Sequence, residues 1–546
     1  MHRLTNIVIS ISATILLAFT PICALAQDKP VAVVAFSSLD ELMTDVAYLT
    51  EAAGAPEYGG MAQGFLGPMT AGLDKSKPWG VAVMTDGTEL KPLGFLPVTD
   101  LDTFLQIHAG NLGEAKDAGD GILQLAGAVP VFVKEYKGWA FVARQAEQLA
   151  DLPGDPTSLL DGLDEDYDIA LRAYVDNVPE QYKQLALAQI RSGATAGLKN
   201  LPAEGDEAEM QRKLAETGVR QLETFFNETA TFTLGWNIDG EAKSTYLDIG
   251  LTAVPGTSTA RKMALLSDTT TEFGGFLQAD AAATLNFTSV VSEEDIEQAV
   301  PMLIGVKQRA LEQLDEDAEL DDQETRDAAK DLLGSLFDVI IGTVESGKVD
   351  GGATLVLGPN ALSMACGGYV ADGKQLEETF NKFIALAEKE DGFPGVEMNA
   401  AEHGGITFHT AKVPVPDAEA REIVGDEVDV VVGIGETSGY LAVGNNAADL
   451  LRKVIDDSAA SAGNKVPPGQ LNVALQPILA FAAAVDDNPM TSLMLAEVEK
   501  LEGRDHISIR SIPIPNGAVS RIEIEEGVLR AIGAAAKAGM SGGIGP

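Results

Sequence analysis

Acidic side chains are the chemically capable groups that crowd together most in this sequence. Asp315, Glu316, Asp317, Glu319, Asp321, Asp322 and Glu324 fall in one short segment between two predicted helices. Such oxygen-rich segments suit hard cations, and Ca2+ takes roughly six to eight oxygen ligands. Weak Ca2+ binding through Asp315, Asp317, Glu319, Asp321 and Asp322 is therefore the chemistry to weigh against a solvated loop whose like charges repel. A second series, Asp164, Asp166 and Asp168 behind Asp161, alternates in the same manner. It is not an EF-hand, because Ile169 stands where the loop needs glycine and Val175 where it needs glutamate.

The other reactive side chains are sparse. His403 and His409 are six apart, would share a face on one continuous strand, and have Glu402 beside them, but a transition metal needs a third ligand. His108 has no evident histidine counterpart in the second half of the chain. Cys366 lies in the apolar run Leu362 to Tyr369, where a buried inert thiol is expected, since an activated one needs a nearby histidine or cation. Gly433 to Gly439 follows a strand but departs from G-x-G-x-x-G and lacks GK[ST]. No H-E-x-x-H occurs, and with so many carboxylates an acid pair carries no information. Neither catalytic nor cofactor-binding residues are expected. Trp139 and Trp236 occupy strand positions that read as core, and the sequons at Asn227 and Asn286 read as chance matches.

The elements that carry these residues belong to a chain with 82 Asp plus Glu against 38 Lys plus Arg, a formal charge of −44. Nucleic acid is excluded as a partner, because no basic run exists to neutralise phosphates. With 45% hydrophobic residues the chain has ample material for packed cores. Met1 to Ala26 reads as a secretory signal peptide: basic Arg3, an apolar stretch from Ile7 to Phe19, and Ala24-Leu25-Ala26 before Gln27. An uncleaved anchor is the alternative. After cleavage Cys366 is the single cysteine, so no intramolecular disulfide forms. No later segment reaches the roughly 18 apolar residues of a membrane span, and a soluble periplasmic or extracellular protein is expected.

Internal similarity is the most informative feature. Val129 to Val133 leads through Gly138-Trp139 to Val142, then to Ala146 and Leu149; Val430 to Ile434 leads through Gly439-Tyr440 to Val443, then to Ala447 and Leu450. Both read as a hairpin feeding a helix. Val31 to Phe36 enters a helix through the capping box Ser38-Leu39-Asp40-Glu41, and Ala283 to Phe287 does so through Ser292. Long hairpins are expected over 80–98 and 352–370, each before a helix capped by Asp100 or Asp372. A second module pairs Phe232 to Trp236 with Thr245 to Ile249, and Ile507 to Arg510 with Arg521 to Ile524. It is preceded by long helical segments expected over Ile169–Arg191 and Leu471–Leu501. In Ile296 to Leu314, Ala299, Met302, Leu303, Val306, Ala310 and Leu311 make one apolar face. The expected fold is α+β, a tandem duplication of antiparallel sheets packed with amphipathic helices. Its lobes run A-B-A-B over 27–158, 159–272, 273–464 and 465–540, with 541–546 a flexible tail.

The pattern resembles a loosely defined group of exported, acidic bacterial proteins of unknown function, through residues 31 to 52 and Leu93-Gly94-Phe95-Leu96-Pro97-Val98-Thr99-Asp100. The resemblance spans most of the mature chain and implies no catalytic residue. The expectation is a non-enzymatic envelope or periplasmic protein that presents binding or structural surfaces to an unknown envelope protein or ligand. Alternatives are a carrier holding an apolar ligand in a helix-sheet cavity, and a hydrolase gathering His403, His409 and carboxylates in a cleft.

Overall fold

The computed structural model describes residues 28–127, 129–198, 206–316, 322–358, 361–390, 392–501 and 503–542. The proposed signal segment, 1–26, lies outside the described residues. The chain divides into two compact units, one formed by residues up to 261 with 514–519, the other by 262–513 with 520 onward.

The first unit begins with β1 (Lys29–Phe36), α1 (Leu39–Ala52) and α2 (Pro56–Met69). Ser38 caps α1 as its motif predicts, its hydroxyl accepting the Glu41 N–H at 3.2 Å. Next come β2 (Trp79–Thr85), β3 (Leu90–Pro97), α3 (Leu101–Leu112), β4 (Ala115–Gly119), β5 (Ile122–Leu125), β6 (Val131–Tyr136) and β7 (Trp139–Ala143). Asp100 caps α3 by accepting the Thr103 N–H at 3.0 Å. After α4 (Leu163–Asp166) follow β8 (Ile169–Tyr174), α5 (Glu180–Leu198), α6 (Asp206–Glu228), β9 (Thr229–Asp239), β10 (Ser244–Ala253) and α7 (Ser258–Ala264). Hydrogen bonding orders the strands β4-β5-β6-β7-β3-β2-β1-β8-β9-β10, every pair antiparallel.

The second unit contains β11 (Ala283–Val290), α8 (Glu293–Glu316), α9 (Gln323–Glu345), β12 (Lys348–Gly358), β13 (Ala361–Tyr369) and α10 (Gly373–Ala387). Then come β14 (Glu397–His403), β15 (Ile406–Pro414), α11 (Ala418–Val424), β16 (Glu427–Ile434), β17 (Ser438–Gly444) and α12 (Ala447–Ser461). The last elements are β18 (Gly469–Ala474), α13 (Leu475–Val485), α14 (Pro489–Val498), β19 (His506–Ile514), β20 (Gly517–Glu525) and α15 (Glu526–Gly542), with the β19–β20 hairpin end, 514–519, counted in the first unit. The strand order is β14-β15-β16-β17-β13-β12-β11-β18-β19-β20, again antiparallel. Each strand of this order stands where its counterpart stands in the first unit.

The α+β class is therefore as expected, with three local corrections. The helical segments read over Ile169–Arg191 and Leu471–Leu501 each open with a strand, β8 and β18, which pairs with β1 and β11 respectively. Segments 27–158 and 159–272 thus share a sheet, as do 273–464 and 465–540. Alanine and leucine in Ile169-Ala170-Leu171-Arg172-Ala173-Tyr174 favour helix, but backbone pairing with a central strand overrides that preference. Second, Gly404 and Gly405, both at positive φ, turn the chain between β14 and β15, so His403 and His409 are not on one strand. Third, Met302 and Val306 of the face read from Ile296–Leu314 are 59% and 37% exposed.

Each sheet buries one face. In the first unit Val33, Ala82, Phe95, Phe141 and Ala143 pack with Leu149, Leu160 and Leu163; in the second, Ala365, Phe408, Val431 and Ala442 pack with Phe273, Phe276 and Leu451. Each buried phenylalanine contributes about 1.5–3 kcal/mol by leaving water. The other face of the second sheet keeps Leu285, Phe287, Met364 and Leu441 partly exposed.

Candidate functional site

A polar cluster lines a cleft in the first unit, where β8, β9 and β10 lie side by side. Strand alternation puts Leu171 and Ala173 on one face and Arg172 and Tyr174 on the other. Across the ladder Arg172 stands opposite Thr233 and Tyr174 opposite Thr231, and these in turn oppose Gly250 and Thr252. A row of small hydroxyl residues ending in a glycine leaves space above the sheet. That space is a half-open cleft of about 330 Å³, which Ile514 and Val519 of the same unit also line.

A tight turn brings Asp161 over this strand face. The 3-10 turn Thr157–Leu160 ends at Asp161 in the left-handed region, φ 55°, followed by Gly162 at φ 73°. Asp161 Oδ2 accepts from Arg172 Nη1 at 2.7 Å and from the Tyr174 hydroxyl at 2.5 Å. Arg172 Nε donates to Thr233 Oγ1 at 3.1 Å, which fixes the plane of the guanidinium. Burial, and then the bond to Asp161, push the Tyr174 phenol well above its usual range, so it stays neutral and donates. The Tyr167 ring lies against Gly235, where any Cβ would collide with it, and its hydroxyl donates to buried Asp248 at 3.0 Å. Tyr167 and Tyr174 both rest on the core beneath. The cleft pairs one cation with one anion beside neutral hydroxyls, an arrangement that can hold a polar ligand.

Just before β8, Asp168 is buried, with Oδ2 accepting the Ile238 N–H at 2.7 Å and Oδ1 accepting from the Ser37 hydroxyl at 3.3 Å. Asp45 of α1 hydrogen-bonds to the same carboxylate. Burial first, then the charge of Asp168, push Asp45 up to about 7. The pair ties α1 to the sheet through a proton.

The residues singled out in the sequence are dispersed. Asp315 forms an ion pair with Lys330; Asp322 caps α9, accepting the Thr325 N–H at 2.8 Å; Asp317, Glu319 and Asp321 lie outside the described residues. No group of three His, Cys, Asp or Glu side chains with metal-holding geometry occurs among the described residues. His403 pairs with exposed Asp456 at 2.8 Å, whereas His409 is buried, its Nδ1 accepting the Asn399 N–H at 3.3 Å; the two do not converge. His108 Nε2 donates to the Met69 carbonyl, and His506 lies 3.2 Å from Glu525. Cys366, half-buried in β13, has its thiol pushed up by desolvation. Gly433 to Gly439 is the β16–β17 turn, closed by Gly435 N–H donating to Ser438 O at 2.8 Å. Trp139 is buried in the core, while Trp236 is half-buried and donates to Thr245 at 2.8 Å. Asn286 is fully buried and donates to Gly351 O at 3.0 Å, so its sequon is out of reach of a modifying enzyme.

Of the cleft residues, the sequence pointed to Asp161 alone, as part of an acidic series. The signal available for the rest was the alternation Arg172-x-Tyr174, hidden by reading that segment as helix. Comparison with known protein families, curated proteins and solved structures finds no match to this chain.

Proposed function

We propose that the chain is an exported, non-enzymatic binding protein of the cell envelope or periplasm, and that the β8–β10 cleft is its ligand site. One observation carries this: Asp161, Arg172 and Tyr174 are locked to one another in the wall of the cleft. The shared strand order of the two units supports descent by tandem duplication. The equivalent row of the second unit bears Asn472 and Ser508 instead of Arg172 and Thr233, so framework packing does not demand the cleft residues. The resemblance to exported acidic bacterial proteins agrees with this reading.

A carrier of an apolar ligand is the second reading, favoured by Leu285, Phe287, Met364 and Leu441 on the open sheet face. Both readings are tested by incubating residues 27–546 with extract of the host envelope, desalting, and identifying retained compounds by mass spectrometry. A polar compound retained unchanged supports the first, a retained lipid the second. Conversion of a compound with nothing retained overturns both.

A further inference from the structure

We infer that the cleft formed by Asp161, Arg172, Tyr174, Tyr167 and Thr233 recognises a neutral saccharide, through paired hydroxyl hydrogen bonds and contact of a sugar face with the tyrosine rings. This deepens the reading of the cleft as a ligand site and rests on it.

Charge narrows the ligand first. Arg172 and Asp161 stand 2.7 Å apart, so their charges cancel locally, and the two tyrosines add none. A free cation or anion gains little there, because the charge it would seek is already neutralised by its ion-pair partner. Anions also meet the field of a chain carrying −44. A neutral polar ligand encounters neither obstacle.

The hydrogen-bonding groups narrow it further. Asp161 Oδ2 is occupied by Arg172 and Tyr174, whereas Oδ1 and the Arg172 Nη2 group have no partner among the described residues. The pair remains reachable, with side-chain exposures of 54% for Asp161 and 23% for Arg172. An acceptor next to a donor, fixed by a shared ion pair, suits adjacent hydroxyls, each of which donates and accepts. Thr233, whose oxygen already accepts from Arg172, retains its own hydroxyl proton to donate. Tyr167 and Tyr174 supply rigid apolar surface with polar edges, suited to the C–H face of a pyranose. The cleft volume of about 330 Å³ lies at the small end of ligand pockets, about 300–1,000 Å³, and accommodates a short oligosaccharide end rather than a long chain.

The test titrates residues 27–546 with maltotetraose, cellotetraose, chitotetraose and mannotetraose, read by saturation-transfer NMR and calorimetry. At least one should bind, and Asp161→Asn should weaken it about tenfold or more, as loss of a charge-assisted hydrogen bond does. Thr233→Val, nearly the same shape, should weaken binding by a smaller factor and serves if Asp161→Asn does not fold. Asp456→Asn, an exposed position far along the sequence, should leave it unchanged. Circular dichroism establishes that each variant is folded. No binding by any of the four at up to about 10 mM, well above a weak millimolar site, overturns the inference, as does binding that folded Asp161→Asn leaves intact. If the envelope extract yields a retained polar compound that is not a saccharide, the ligand class is wrong while the binding reading stands; if it yields nothing, the binding reading itself fails.

Discussion

Replacing Asp45 by asparagine should stabilise the protein in neutral and alkaline solution while changing little in strong acid. In the unfolded chain the Asp45 carboxyl releases its proton near the ordinary 3.8; in the folded protein it holds it up to about 7. Between those values the folded state binds more protons than the unfolded, so stability falls as pH rises, and above about 7 the loss is complete. The charged groups facing Asp45 are Asp168, Glu41 and Asp239, all acidic, so nothing nearby compensates. At about 1.36 kcal/mol per pH unit the whole interval corresponds to roughly 4 kcal/mol. Asp45 is only half-buried, and screening by water reduces this to about 1–2 kcal/mol. Asparagine donates to Asp168 at every pH and escapes the loss. Urea unfolding of both proteins from about pH 4.5 to about pH 8 measures the difference, and subtraction cancels the other carboxyls, Asp164 and Asp350 among them, that are also pushed up. A gap that stays flat or shrinks as pH rises refutes the shared proton.

Other expectations follow from single environments. Desolvation pushes buried His409 below its ordinary 6.5, so its NMR titration midpoint should fall below 6.5 and its share of stability should be lost as pH drops through that interval; a midpoint at or above 6.5 refutes this. The Cys366 thiol, pushed up by burial, should alkylate with iodoacetamide at neutral pH more slowly than a free thiol, as intact mass will show. Gly275→Ala should cost about 1–3 kcal/mol in urea unfolding, because a Cβ there meets the Val454 carbonyl and the Ser458 hydroxyl of α12. Gly60→Ala on α2, where a Cβ meets nothing within 4 Å, should instead stabilise by roughly 0.5–1 kcal/mol.

Local chemistry was legible wherever a residue's role depends on its immediate neighbours. Ser38, Asp100 and Asp372 cap helices as their positions predict, because a cap is satisfied by N–H groups two or three residues on. The hairpins and the antiparallel α+β class followed from alternation and turn residues, which are equally local. The sequence similarities also correspond to real elements: β6–β7 and β16–β17 stand at the same place in the two strand orders.

What the linear chain did not contain was the partner of each strand. Ile169 to Tyr174 is helix-like by composition and becomes β8 because β1 offers it a backbone ladder across more than a hundred residues. As a strand, β8 carries Arg172 and Tyr174 on the face where Asp161 lies, and its pairing with β9 sets Thr233 beside them, so the cleft exists only once the sheet has formed. The Asp45–Asp168 proton has the same origin, an α1 side chain meeting one far along the sequence. Composition and spacing determined which elements could form; tertiary pairing decided which polar groups meet, because hydrogen bonds act over about 3 Å while the residues that form them here are many positions apart.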